Sequence, residues 1–207
     1  MRVLHVVSSP RGEESVSIDV AGHFLDALRG HHPDLEVDTL DVWDADLPEF
    51  DARTIGVKYK LVAGEALDPD EDAAWRTIDD LVARFRAADR ILLGVPMWNW
   101  SFPYKLKQLI DLVSQRDRLF TFDGRTYGPA LDVERGLIVA VRGQSGDTLA
   151  LAPPQHADHQ VDFLRFWLQV IGVHDVGTLV VEHTWDSAAA VTLDRARAEA
   201  QRRAATF

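Results

Sequence analysis

Three short stretches of the chain carry residues suited to holding a phosphorylated planar ring. The first, Ser8-Ser9-Pro10-Arg11-Gly12-Glu13-Glu14-Ser15-Val16-Ser17, follows the apolar run Val3 to Val7 and leads into a segment with helical spacing. A helix start presents unpaired backbone N–H groups and the positive end of its dipole, so an anion seated there needs little side-chain charge. Ser9, Ser15 and Ser17 add hydroxyl donors. Serine also caps helices routinely, and the two roles are compatible. The second stretch, Pro96-Met97-Trp98-Asn99-Trp100-Ser101-Phe102-Pro103, sets two tryptophans around an amide just after the apolar run Ile91–Val95. Large aromatics at a strand end suit a flat heteroaromatic ring; packing in a core or a subunit contact is the alternative, and Asn99 also reads as a turn residue. In the third, Val141-Arg142-Gly143-Gln144-Ser145-Gly146, glycines permit close backbone approach to a ring edge.

What is missing narrows the chemistry. The serine loop carries neither G-x-x-x-x-G-K-[ST] nor G-x-G-x-x-G, which sets aside a P-loop nucleotidase and a dinucleotide site and leaves a mononucleotide flavin as the better candidate. There is no G-x-S-x-G elbow of a serine hydrolase. With no cysteine, disulfides, thiolate metal sites and a cysteine nucleophile are excluded. His156 and His159, three apart, share a helix face in principle, but no H-E-x-x-H accompanies them and we expect no metal. A formal net charge of −11 opposes binding to nucleic acid or to an anionic membrane surface. No apolar run approaches the ~20 residues of a membrane span, and Val3–Val7 is too short for a secretory core, so the expectation is a soluble cytoplasmic protein.

The elements that position these loops follow from alternation. Runs at Val3–Val7, Leu35–Leu40, Ile91–Val95, Leu137–Val141 and Val176–Val181 predict strands, with helices at Ser17–Leu28 (stopped by Gly30), from near Asp72 to Ala88, Tyr104–Ser114, His159–Ile171 and Ser187–Arg203. Strands that are apolar throughout belong to a parallel sheet covered on both faces. We therefore expect an α/β three-layer sandwich, a five-stranded parallel sheet in the order 2-1-3-4-5, as one domain over residues 1–207. In such sheets ligands bind at the carboxyl ends of strands where the strand order reverses, and the loops after strands one, three and four meet there. Trp43–Asp68 and the turn-rich Arg116–Val133 stand outside the alternation and read as walls of the site or surfaces for another subunit.

Taken together, in this order and spacing, the three loops resemble the FMN-dependent NADH-azoreductase family of flavodoxin-like quinone reductases, over nearly the whole chain. Pro96–Val113, PMWNWSFPYKLKQLIDLV, is similar to that family's P-M-[YW]-N-[FW]-x-x-P segment and the following helix with its Leu-Lys and Asp-Leu-Val. The resemblance implies a flavodoxin-like fold, one FMN per subunit, NADH or NADPH as co-substrate, a quinone or azo acceptor reduced by ping-pong two-electron transfer, and a homodimer. It implies that Ser9, Ser15, Val16 and Ser17 hold the FMN phosphate and that Met97, Trp98, Asn99 and Trp100 contact the ring. Val141, Arg142, Gly143 and Gln144 would lie along its other edge, while Phe120 and Phe122 would line the substrate cavity at the dimer interface. Two positions depart from the pattern: Val16 stands where a polar residue is frequent, and Gln144 where a glycine is. No side chain is assigned an acid–base role, since the cofactor carries the chemistry. The rival readings are a flavodoxin-type electron carrier and a binding or regulatory protein that keeps the fold without a redox ligand.

Overall fold

A computed structural model describes residues 1–145 and 158–207. Along the chain these form β1 (Arg2–Val7), α1 (Val16–His31), β2 (Glu36–Asp41), α2 (Ala52–Ala63), α3 (Pro69–Arg86), β3 (Arg90–Pro96) and α4 (Tyr104–Val113). There follow β4 (Phe120–Phe122), β5 (Tyr127–Pro129), β6 (Val133–Val141), α5 (Val161–Ile171), β7 (Val173–Val181) and α6 (Ala189–Ala204). Five strands pair in parallel in the order β2-β1-β3-β6-β7, which is the expected order with the small hairpin β4–β5 set aside. No helix among the described residues is long and apolar enough to cross a membrane.

Period-two alternation splits the buried strand residues between two cores. Leu4, Val6, Ile91, Leu93, Val95, Ile138 and Ala140 face α3, α4 and α5, while Val3, Leu92, Leu137, Val139 and Val141 face α1 and α6. Both faces of the central strands are covered, which is why their sequences run apolar without a break. From the middle of the sheet the strand order runs one way from β1 to β2 and the other way through β3 and β6 to β7. The crevice that opens at the carboxyl ends of β1 and β3 is where a ligand fits.

Several boundaries differ from expectation. Helix α1 continues through Gly30 to His31, because an exposed glycine in a last turn costs only about 1 kcal/mol and does not by itself stop a helix. Helix α3 starts at Pro69, three residues before Asp72: Asp68 accepts from the backbone of Asp70 and Glu71, and Glu71 closes the capping box. The Trp43–Asp68 excursion contains a helix, α2, capped by Asp51 and ended by Gly64 at φ 72°. Arg116–Val133 holds an antiparallel hairpin, its turn fixed by Asp123 accepting from the N–H groups of Arg125 and Thr126.

Candidate functional site

The chain leaves β1 tied to β3: the Ser8 backbone N–H and hydroxyl both donate to the Gly94 carbonyl, at 3.1 and 2.8 Å. A short 3-10 turn, Gly12–Glu14, then delivers Ser15 as the N-cap of α1, where its Oγ accepts from the Ile18 N–H at 3.4 Å. The Ser15 and Ser17 hydroxyls lie 3.1 Å apart, and Ser9, Ser15 and Ser17 are all buried. The N–H groups of the first helical turn have no intrahelical acceptor, so with these hydroxyls they make a neutral donor cradle for an anion. Ser9, Ser15, Val16 and Ser17 line one cleft of about 300 Å³, and Met97, Trp98, Asn99, Val141, Arg142 and Gly143 line it too. Residues from all three loops therefore meet at the carboxyl ends of β1, β3 and β6.

After β3 the backbone is held to β6 by the Met97 N–H on the Val141 carbonyl, 2.7 Å. Trp98 and Ser101 then exchange both backbone hydrogen bonds, at 3.1 and 3.0 Å, around a two-residue turn in which Asn99 has φ 48° and Trp100 φ 64°. Such turns need positive φ at both central residues and usually carry Asn-Gly. A tryptophan there is strained by about 1–2 kcal/mol, and its ring, 61% exposed, gains little packing in return. Strain of this kind collects where a loop must hold one shape for function. Trp100→Gly should keep the turn and raise the stability of the ligand-free protein by about 0.5–1 kcal/mol, read by urea unfolding. A loss of stability would mean that the indole packs more than its exposure suggests.

Support for Trp98 comes from an unexpected quarter. Trp43, in the loop after β2, donates its indole N–H to the Ser8 carbonyl at 3.0 Å and packs on Trp98 and Tyr104 with ring centroids 5.7 and 5.5 Å apart. It braces the serine loop and the tryptophan loop against each other.

Arg142 continues β6, but its side chain is turned into the protein. The buried guanidinium donates to Gln160 Oε1 at 3.1 Å, to Glu182 at 3.4 Å and to the Asp158 carboxylate, and Gln160 Nε2 donates in turn to the Val95 carbonyl at 3.0 Å. Burial alone would raise the Asp158 carboxyl; the Val161 N–H and the Arg142 guanidinium outweigh it, and the net shift is downward. With its guanidinium bound to three protein partners, Arg142 contributes to the cleft chiefly through its backbone.

Not every expected residue lines the cleft. Trp100 and Gln144 fall outside its lining. Phe120 and Phe122 sit on β4, packed on Tyr127 with centroids 5.7 and 4.5 Å away. The base of that hairpin is anchored at the opposite end of the sheet, where Arg86 donates to the Asp117 and Arg118 carbonyls and the Leu131 N–H to Ile171. Conversely Arg11, Pro96, Thr184 and Trp185 line the cleft without having been singled out. The available signal was Thr184-Trp185, an aromatic just beyond the last strand. His159 is exposed, whereas His156 lies outside the described residues, as does Gly146.

A family profile described as a flavodoxin-like fold matches residues 1–204. The chain belongs to that family. It is 54% identical to FMN-dependent NADH:quinone oxidoreductase 2 of Burkholderia lata, over 100% of both chains. Among solved structures this flavodoxin-like chain is similar to an azoreductase from Bacillus anthracis strain Sterne, with a TM-score of 0.89 over 100% of both chains at 23% identity. It is also similar to an FMN-dependent NADH-azoreductase from Bacillus anthracis strain Ames Ancestor, in complex with FMN, with a TM-score of 0.88 at 20% identity over 100% of this chain and 99% of that one. At such identities the two structures establish the flavodoxin-like architecture and nothing finer.

Proposed function

We propose that this flavodoxin-like chain is an FMN-dependent NADH:quinone oxidoreductase, acting as a cytoplasmic homodimer with one FMN per subunit. The observation that carries the reading is a single cleft that joins a neutral anion cradle to aromatic walls, in a chain 54% identical from end to end to an enzyme of that name. The donor set fits the cofactor: hydroxyls and helix N–H groups suit a phosphate without lysine or arginine, and Trp98 beside Met97 suits a flat ring. When bound, FMN supplies the hydride acceptance and two-electron transfer. The protein's part is to bind and orient it. Ser9, Ser15, Val16 and Ser17 receive the phosphate; Met97, Trp98, Asn99 and Trp100 bear on one part of the ring, and Val141, Arg142, Gly143 and Gln144 on another. Phe120 and Phe122 do not line this cleft, and in the dimer that the resemblance implies they line the acceptor pocket at the interface between the two copies. An azo acceptor rests on the P-M-W-N-W-x-x-P resemblance.

The purified protein should show flavin absorbance that NADH bleaches and a quinone restores, with steady turnover and no added reductase. Bound flavin that NADH does not bleach until a reductase is added would favour an electron carrier. A preparation that stays colourless after FMN is added would overturn the flavin reading.

The cradle makes a second prediction. Ser17→Ala should weaken FMN binding by about 0.5–2 kcal/mol and leave the ligand-free protein nearly as stable. Ser15→Ala should weaken binding similarly and also lower stability by about 1 kcal/mol, because Ser15 caps α1. Titration of flavin-free protein with FMN, paired with urea unfolding, checks both.

A further inference from the structure

Trp185 follows β7 and is 78% exposed, an unusual amount of indole to leave in water. Its loop is nevertheless fixed. The Trp185 N–H donates to the Gly143 carbonyl at 3.3 Å, the Thr184 hydroxyl donates to the Arg142 carbonyl at 2.9 Å, and the His183 ring meets the Asp186 carboxylate at 2.7 Å. The indole lies directly over Gly143: a β-carbon built on that residue would come within 2.4 Å of Cδ2 and 2.5 Å of Cε3. Gly143 is not among the glycines with positive φ, so its backbone gives no reason for glycine. The overlying ring does. Gly143, Trp98 and Trp185 all line the same cleft, so an exposed indole on a glycine seat borders the space available to a planar ligand.

We infer that Trp185 is a ring-binding residue for the flavin, and that position 143 is glycine in order to seat it. This rests on the flavin reading of the cleft. A ligand ring packed on the indole would cover apolar surface that no described residue covers, and offset or edge contacts between aromatic rings add to that burial. The serine loop and Trp185 then divide the cofactor between them, the first holding the phosphate and the second the ring.

Riboflavin, which lacks the phosphate, separates the two contributions. Titration of the full-length, flavin-free protein with FMN and with riboflavin, followed by flavin fluorescence, should show Trp185→Ala weakening both by the same factor, about five- to tenfold. Trp185→Phe should restore part of the loss for both. Ser17→Ala, in contrast, should weaken FMN alone. Gly143→Ala should weaken both flavins in the parent protein and weaken them less in a Trp185→Ala background, where the new methyl group meets no indole and only its own approach to the ring edge is left. Folding of each variant is checked by its melting curve without flavin, which an exposed side chain should barely move. Unchanged affinity of Trp185→Ala for both flavins would overturn the inference. So would a Trp185→Ala variant that keeps its flavin affinity and shifts the monomer–dimer balance, since the indole would then cover a second copy. An equal penalty from Gly143→Ala in both backgrounds would overturn the seat. If the parent protein binds neither flavin, the flavin reading itself has failed, a result distinct from all of these.

Discussion

Arg142→Met should lower the unfolding free energy of the ligand-free protein by about 3–5 kcal/mol, measured by urea titration. The guanidinium is buried with only 9% of its side chain exposed, and it holds Asp158, Gln160 and Glu182 at once. Removing it strands the Asp158 carboxylate, whose burial already favours the protonated form, and leaves the fully buried Gln160 amide without its donor. Arg142→Lys should recover only part of the loss, because one ammonium cannot reproduce a planar fork that reaches three partners. The network also links the Val95 carbonyl near the end of β3 to Glu182 beyond β7 through Arg142, which lines the cleft. FMN affinity should therefore fall in the same variant, even in its folded fraction. A change below about 1 kcal/mol would show that packing, and not this network, holds the ends of β3, β6 and β7 together.

Some of this site is legible in the sequence and some is not, for identifiable reasons. The serine loop can be read because helix capping and anion binding use the same backbone groups, so the residue types that favour one also favour the other. The central strands can be read because they cross a doubly covered sheet, whereas the edge strand β2 buries only Leu40. Helix α2 escapes notice because it buries only Val57 while Ile55, Tyr59 and Val62 are left exposed, which blurs its apolar stripe. The strands of the β4–β5 hairpin are three residues each, too short to alternate visibly, although Asp123-Gly124 marks their turn. Arg142 is recognisable as a member of a site loop, yet the direction of its side chain depends on Asp158, Gln160 and Glu182, 16 to 40 residues further on. Trp185 is marked in the sequence only as an aromatic just beyond the last strand, which does not tell what it faces. Only the register of β7 beside β6 brings its loop over Gly143.

Acid should destabilise the protein through His5, and His5→Leu should remove that sensitivity. His5 lies on β1 beneath α1, with its Nε2 fully buried and without a hydrogen-bond partner among the described residues. Its surroundings are the Gly94 backbone and the Ser17 carbonyl: a β-carbon at Gly94 would sit 3.7 Å from Nε2 and 3.4 Å from that oxygen. Burial lowers its pKa from 6.5 to about 4. Above pH 6.5 the imidazole is neutral in both folded and unfolded chains and pH has no leverage through it. Between about 6.5 and 4 the unfolded chain takes up a proton that the folded chain refuses, so stability falls as the pH falls, by roughly 3 kcal/mol at the lower limit. Carboxylates whose pKa is lowered in the folded state, such as Asp38 and Asp158, add their own loss at lower pH, but they do so equally in parent and variant. The difference between the two proteins therefore isolates the histidine. Urea unfolding at pH 7, 5.5 and 4.5 should show the variant's advantage growing steadily as the solution is acidified, on top of a gain at pH 7 from removing an unpaired buried nitrogen. Parallel stability curves for parent and variant would mean that His5 is protonated in the folded state or reached by water, and that the space beneath α1 is wetter than its packing indicates.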